Sequence, residues 1–314
     1  MNILILGGGG YVGTPLTEKL LKNKKNKITV VDTFWFGNFL KKNKRLKIIK
    51  KDIREANIKW FKKIDSVIHL ANIANDPAVD LNPSLSWDVN VIGLMNIMRF
   101  AIKSKVKKFI FASSGSIYGV KKEKKVTEDL IPVPISTYNK TKMISERVLE
   151  SFSKYIDIYS IRPATVCGYS PRMRLDVSVN MFAYQALKFK KIRIFGGKQI
   201  RPNIHINDLI NVYEDFLKKK LKTGIYNAGF ENLKIIDIAK LVQKHIPCDI
   251  EILKDSNDPR TYRQNSEKLL NTGFIPRFKV EDAIKEIKEK FLTGELNESD
   301  NCYTVKWMKK LKVK

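Results

Sequence analysis

Residues Ile3-Leu4-Ile5-Leu6-Gly7-Gly8-Gly9-Gly10-Tyr11-Val12-Gly13 join a short apolar run to glycines spaced G-x-x-G-x-x-G. A helical pattern then runs from about Tyr11 to Lys22. A strand that ends in such glycines and opens a helix aims backbone N–H groups at one point. The missing side chains let a pyrophosphate approach that point closely. Gly7, Gly10 and Gly13, with Tyr11 and Val12 between them, are therefore candidate cofactor contacts. The next apolar run, Ile28 to Val31, ends at Asp32, 19 residues beyond Gly13. A carboxylate there accepts hydrogen bonds from an adenosine ribose and repels a 2′-phosphate, and no arginine follows it closely. NAD is expected over NADP.

The surrounding sequence continues the alternation. Apolar runs at Leu46–Ile49, Val67–Leu70, Phe109–Ala112 and Ile158–Ile161 read as strands. A helical pattern passes through Val89, Leu94, Ile97 and Ala101, and another spans Ser136 to Ser153. Strands alternating with helices imply an α/β fold with a doubly wound parallel sheet. After Pro163 the pattern loosens. Helices are expected near 177–189, 208–217 and 235–245, with strands near 192–195 and 249–253. The expected organisation is a cofactor-binding domain over 1–165, a smaller C-terminal substrate-binding lobe over 166–291 with some segments returning to the first sheet, and a basic tail over 292–314.

The chain has 314 residues, 59 Lys plus Arg against 32 Asp plus Glu, and a formal net charge of +27. Lysines account for 47 of the cations and lie in scattered short runs, such as Lys121 to Lys125. A nucleic-acid surface favours clustered Arg with interleaved aromatics. The lysines therefore read as a solvated face, and no specific nucleic-acid partner is expected. Cys167, Cys248 and Cys302 are far apart and form no C-x-x-C or Cys/His cluster, which argues against a disulfide framework and against a metal site. No apolar run reaches membrane-spanning length. The apolar run beginning near Asn2 leaves no room for a targeting peptide, so a cytoplasmic protein is expected. Trp307, Met308 and Leu311 stand among lysines in the tail; this reads as a frayed terminus, and membrane association is not expected.

Tyr138 and Lys142 form Y-x-x-x-K in the long helix and share one face. A phenol is a poor base at neutral pH, and a neighbouring ammonium stabilises its phenolate. Tyr138 is the candidate general base and Lys142 the group that tunes it. The strand before that helix ends in Ser113-Ser114-Gly115-Ser116-Ile117-Tyr118-Gly119, where ligands of a parallel sheet bind. Ser114 is the candidate to hold a reacting hydroxyl, with Ser116 as a second contact. Asp52-Ile53 either meets the adenine edge or caps a helix.

The glycine motif, Asp32, His69-Leu70-Ala71, Asn90, S-S-G-S-I-Y-G and Y-x-x-x-K stand in the order found in the extended short-chain dehydrogenase/reductase family. The resemblance runs from Met1 to about Pro276 and is strongest to nucleotide-sugar epimerases and dehydratases. It implies a Rossmann sheet, bound NAD and a nucleoside-diphosphate sugar substrate. It assigns the pyrophosphate to Gly7, Gly10 and Gly13, the ribose to Asp32, and adenine to Asp52 and Ile53. Leu70, Ala71, Asn90, Ser113 and Pro163 join the cofactor set, with Tyr138 and Lys142. Ser114, Tyr138 and Lys142 become the catalytic triad. Asn180, Arg201 and Arg260 are assigned to the substrate diphosphate, while Asp208 is expected to cap the helix after it and His205 to be structural. The run Ser170-Pro171-Arg172-Met173-Arg174-Leu175-Asp176 resembles one in GDP-heptose 4-dehydrogenase relatives and would aim Arg172 and Arg174 at the sugar or diphosphate.

The implied activity is oxidation at sugar C4, foremost as a 4-epimerase passing through a 4-keto sugar. A 4-dehydrogenase or reductase shares the first half-reaction. A 4,6-dehydratase is disfavoured, because Gly115 and Ser116 replace the Asp-Glu pair such enzymes use. A catalytically silent RNA- or protein-binding relative is the non-enzyme alternative. Leu6 replaces the usual Thr before the glycines, and Cys167, in place of an aromatic, reads as a small buried hydrophobe. The resemblance also implies a homodimer built on the Tyr138 helix, whose Met143, Ile144, Val148 and Leu149 could equally face the core.

Overall fold

The computed structural model describes residues 1–253 and 261–312. Its order begins β1 (Asn2–Leu6), α1 (Gly13–Lys22), β2 (Lys27–Asp32), β3 (Leu46–Lys50), β4 (Ser66–His69), α2 (Asp76–Val79), α3 (Pro83–Trp87), α4 (Leu94–Lys103), β5 (Lys108–Ala112), α5 (Thr137–Ser151) and β6 (Asp157–Pro163). It continues β7 (Thr165–Cys167), α6 (Ser178–Phe189), β8 (Lys191–Phe195), β9 (Ile200–His205), α7 (Ile206–Lys218), β10 (Gly224–Ala228), β11 (Glu231–Lys234), α8 (Ile235–His245) and β12 (Asp249–Leu253). Then come α9 (Glu267–Leu270), α10 (Val280–Leu292) and α11 (Thr304–Leu311).

Among the described residues the main sheet has seven strands in the order β10-β6-β5-β4-β1-β2-β3. Every adjacent pair is parallel. Alternate residues of β1 feed two cores: Ile3 and Ile5 pack with Leu16 and Leu20 of α1, while Leu4 and Leu6 pack with Leu94 and Ile97 of α4. Burial on both faces explains why the strand reads as an unbroken apolar run. The chain leaves β1 toward β3 and then returns to β4 on the other side of β1. That reversal opens a crevice at the carboxyl ends of β1 and β4, where ligands of such sheets bind.

Two features depart from the sequence reading, at the start of α1 and in the tail. α1 starts at Gly13 instead of Tyr11, because the glycine turn continues to Val12, the N-cap. β10 is a segment of the C-terminal half that returns to the main sheet beside β6, at a position its short, mixed sequence did not reveal. The tail is not frayed. α11 buries Met308 to 6% exposure, and Trp307 Nε1 donates to Trp35 O at 2.5 Å. No helix among the described residues is long and apolar enough to cross a membrane, and no group of His, Cys, Asp and Glu among them could hold a metal ion.

The C-terminal half adds two small sheets, β11-β9-β7 and β12-β8. His205, not Asp208, caps α7, its Nδ1 accepting from Asn207 N at 3.1 Å. Asp208 instead accepts from Arg277 N and Phe278 N, both at 3.0 Å, and so ties α7 to the segment before α10. Cys167 is fully buried, and burial drives its thiol pKa up, as suits an inert hydrophobe.

Candidate active site

The crevice is a cleft of about 550 Å³. At its floor Gly7 adopts φ +83°, and a Cβ there would lie 2.5 Å from Ala71 N. A Cβ on Gly13 would lie 2.3 Å from Gly7 O. Both positions need glycine because β1, β4 and the start of α1 converge there. Gly10 differs: its missing Cβ faces open space but for Gly7 O at 3.4 Å. α1 has no side-chain cap and no acidic residue in its first turn, where Thr14 N donates to Gly10 O at 3.0 Å and Pro15 has no N–H, so the positive end of its dipole carries no neutralising side chain. Asp32 Oδ2 accepts from Gly9 N at 2.8 Å and Oδ1 from Phe34 N at 2.7 Å. Burial raises its pKa, partly offset by those donors. This bare glycine turn, uncapped helix start and braced carboxylate fit NAD.

Tyr11, Val12, Ile53, Leu70, Ala71 and Pro163 also line the cleft. The Tyr11 hydroxyl is committed elsewhere, donating to Gly168 O at 2.7 Å. Asp52 does not cap the helix that contains Trp60, whose N-cap is Asn57. It lines the cleft, and its carboxylate also caps the turn at 53–55, accepting from Arg54 N at 2.8 Å. Ser113 lines the cleft, but its hydroxyl turns away to Glu146 Oε1 at 2.5 Å.

Tyr138, Lys142 and Ser114 open onto the same cleft. Lys142 Nζ lies 5.9 Å from the Tyr138 ring centroid and donates to Ala112 O. Burial pushes its pKa down to about 7, with Glu146 opposing. Ser116 Oγ donates to Asn139 Oδ1 at 2.6 Å, so Ser114 donates in the 2.8 Å contact between the two serines. Arg201 and Arg174 lie in the wall, and Arg174 Nε donates to Asp176 Oδ1 at 2.9 Å. Arg172 also lines the cleft, with its guanidinium 4.0 Å over the Phe36 ring, beside the Asp32 loop. Arg260 lies outside the described residues.

Two assignments are corrected. Asn90 is fully buried and does not line the cleft. Its amide accepts from Ile73 N at 2.9 Å and donates to Thr141 Oγ1 at 3.1 Å, so it braces the 72–75 loop against α5. Asn180 is also fully buried, accepting from Gly168 N at 2.9 Å and donating to Arg174 O at 2.9 Å. It shapes the loop that carries Arg174 and offers no free amide to a phosphate.

Sequence reasoning missed Glu146, Asp76 and the tail. Glu146 holds Arg162 through two contacts, at 2.9 and 2.7 Å, beneath the catalytic helix. The signal was present: Tyr138, Lys142 and Glu146 recur every four residues and share a face. Asp76 lines the cleft and accepts from Ser136 Oγ, the N-cap of α5. Thr304 and Met308 of the tail complete one wall. Nothing local in the sequence joins those last residues to a turn some 270 residues upstream.

Residues 3–229 match the NAD dependent epimerase/dehydratase family. The chain belongs to that family. UDP-glucose 4-epimerase of Lactobacillus helveticus is 28% identical over 272 residues, covering 77% of this chain and 82% of that protein. UDP-glucuronic acid decarboxylase 6 of Arabidopsis thaliana is 27% identical over 310 residues, covering 93% and 89%. The structure of UDP-glucuronic acid 4-epimerase from Bacillus cereus, in complex with UDP-glucuronic acid and NAD, superposes with a TM-score of 0.83 at 29% identity, covering 92% of this chain and 99% of that one. This member of the family thus carries the Rossmann sheet and a C-terminal lobe throughout the aligned length.

Proposed function

We propose that the protein is an NAD-dependent nucleotide-sugar 4-epimerase. The observation that carries this reading is the meeting of Tyr138, Lys142 and Ser114 in the cleft that also holds the glycine turn. NAD, when bound, accepts the hydride from the sugar and returns it. The phenolate of Tyr138 takes the proton of the C4 hydroxyl as C4 is oxidised to a ketone. Lys142 holds the phenolate charge, and the Ser114 hydroxyl, turning its hydrogen from Ser116, donates to the developing carbonyl oxygen. After the keto sugar turns over, Tyr138 returns the proton to the oxygen on the opposite C4 configuration. Arg201 and Arg174 bind the substrate diphosphate, with Arg260 as a third candidate; the guanidinium fork suits phosphate oxygens.

Gly115 and Ser116 supply neither the acid nor the base that loss of water requires, which favours epimerisation over dehydration. The protein is proposed to act in the cytoplasm as a homodimer through the outer face of α5. Half-buried Met143, Ile144 and Val148 form an apolar strip there.

The test is incubation with NAD and pooled UDP-, GDP-, CDP- and dTDP-sugars, followed by chromatography and mass spectrometry. Epimerisation yields a product of unchanged mass and shifted retention. Loss of two hydrogens with accumulating NADH would instead identify a dehydrogenase, and loss of one water a dehydratase. Tyr138→Phe is expected to lower turnover by about 10²-fold or more while NAD still binds. Undiminished activity in that variant would remove Tyr138 as the base.

A further inference from the structure

Among the described residues, Arg172 is a buried cation with no carboxylate in an ion pair with it. It is 5% exposed, and its Nε has no hydrogen-bond partner. Its Nη1 reaches only the Met173 carbonyl, at a long 3.4 Å. The nearby carboxylates are committed: Asp176 pairs with Arg174 at 2.9 Å, and Asp32 receives two backbone donors. Burial, and then repulsion from Arg174, push the Arg172 pKa down to about 10. A buried guanidinium in this state is costly unless a ligand supplies negative charge.

The position says which charge is missing. The loop bearing Arg172 crosses the start of α1, where Ser170 Oγ donates to Tyr11 O at 2.8 Å. Arg172 thus lines the cleft from a loop that touches the start of α1, with its guanidinium beside the Asp32 loop. The stack on Phe36 fixes the plane of the guanidinium. Two contacts from the 299–311 segment hold this arrangement: Cys302 O accepts from Leu175 N at 2.9 Å, and Asn301 Nδ2 donates to Phe36 O at 3.0 Å.

We propose that Arg172 binds the pyrophosphate of the dinucleotide cofactor. This moves Arg172 from the substrate set to the cofactor set. The inference rests on the cleft being a dinucleotide site, a point that the unaltered protein tests by itself.

The experiment is calorimetric titration of nucleotide-stripped protein with NAD, ADP-ribose, adenosine, NADP and UDP, for the unaltered chain and for Arg172→Leu and Arg172→Lys. The expected result is a loss of roughly 10- to 100-fold in affinity for NAD and ADP-ribose in Arg172→Leu. Arg172→Lys, which keeps the charge without the fork, falls between. Adenosine and UDP bind as before, since neither presents the cofactor pyrophosphate. A selective loss of UDP affinity would overturn the proposal and return Arg172 to the substrate. Tighter binding of NADP than NAD, abolished in Arg172→Leu, would assign it to a 2′-phosphate instead. Unchanged affinities throughout would make it purely structural. If Arg172→Leu fails to fold, Phe36→Leu removes the stack and keeps the charge; a smaller loss confined to NAD and ADP-ribose supports the proposal, and none overturns it. Failure of the unaltered chain to bind NAD would reject the dinucleotide reading itself.

Discussion

Lys142 shows how one residue trades stability for chemistry. Its folded pKa of about 7 lies well below that of a free lysine. Between about 7 and about 10 the unfolded chain therefore binds more protons than the folded one, so this group makes stability rise with pH across that window. Below it the ammonium is present in both states, and the folded protein bears the full burial cost. Lys142→Met is expected to be inactive yet more stable than the parent at pH 6, with the gap narrowing toward pH 10. Urea unfolding at both pH values measures this; a gap that widens with pH would contradict the depressed pKa. Gly13→Ala acts oppositely. Its Cβ would meet backbone at 2.3 Å, so the turn must shift. Both a lower melting midpoint and weakened NAD binding are expected, with a stability cost of about 2 kcal/mol or more.

At the scale of elements, α5 and α11 make complementary contributions. α5 carries Tyr138, the proposed base, with Lys142 and Glu146 on one face, and its N-cap Ser136 is held by Asp76. Asp76→Asn removes the charge from that cap contact. It is expected to reduce turnover modestly with little change in NAD affinity, read from kcat and from a separate NAD titration. α11 closes the cleft wall, so Trp307→Ala, which loses the hydrogen bond to Trp35, should speed NAD release in a stopped-flow chase. Equal release rates would reduce α11 to packing. The main parallel sheet from β1 to β6 was legible because both-face burial leaves continuous apolar runs between helical periods. That Gly7, Gly10, Gly13, Asp32, Ser114, Tyr138 and Lys142 share one cleft was legible because each stands at a fixed local spacing from a strand end or along a helix face. Asn90 and Asn180 were misread because an asparagine aimed at a ligand and one aimed at a neighbouring loop look alike in sequence. β10, α11 and the Phe36 stack on Arg172 were hidden because their partners lie far away along the chain.

For the whole molecule the dominant fact is a net charge of +27. Many lysines still find carboxylates locally, as in Lys51–Glu55 at 2.6 Å and Lys218–Glu214 at 2.6 Å. Such exposed pairs contribute little, and the unmatched excess repels itself. Thermal stability is therefore expected to increase with moderate salt, as screening relieves that repulsion; differential scanning calorimetry across a salt series would show it. The same field draws in anionic nucleotides, so kcat/KM for a nucleotide sugar is expected to fall over that series while kcat changes less.

The contact of Trp307 with Trp35 also sets an order of events during synthesis. The glycine turn leaves the ribosome early, whereas the 299–311 segment leaves it after every other wall of the cleft. A nascent chain thus presents the glycine turn long before the segment that supplies Thr304 and Met308 to the cleft wall.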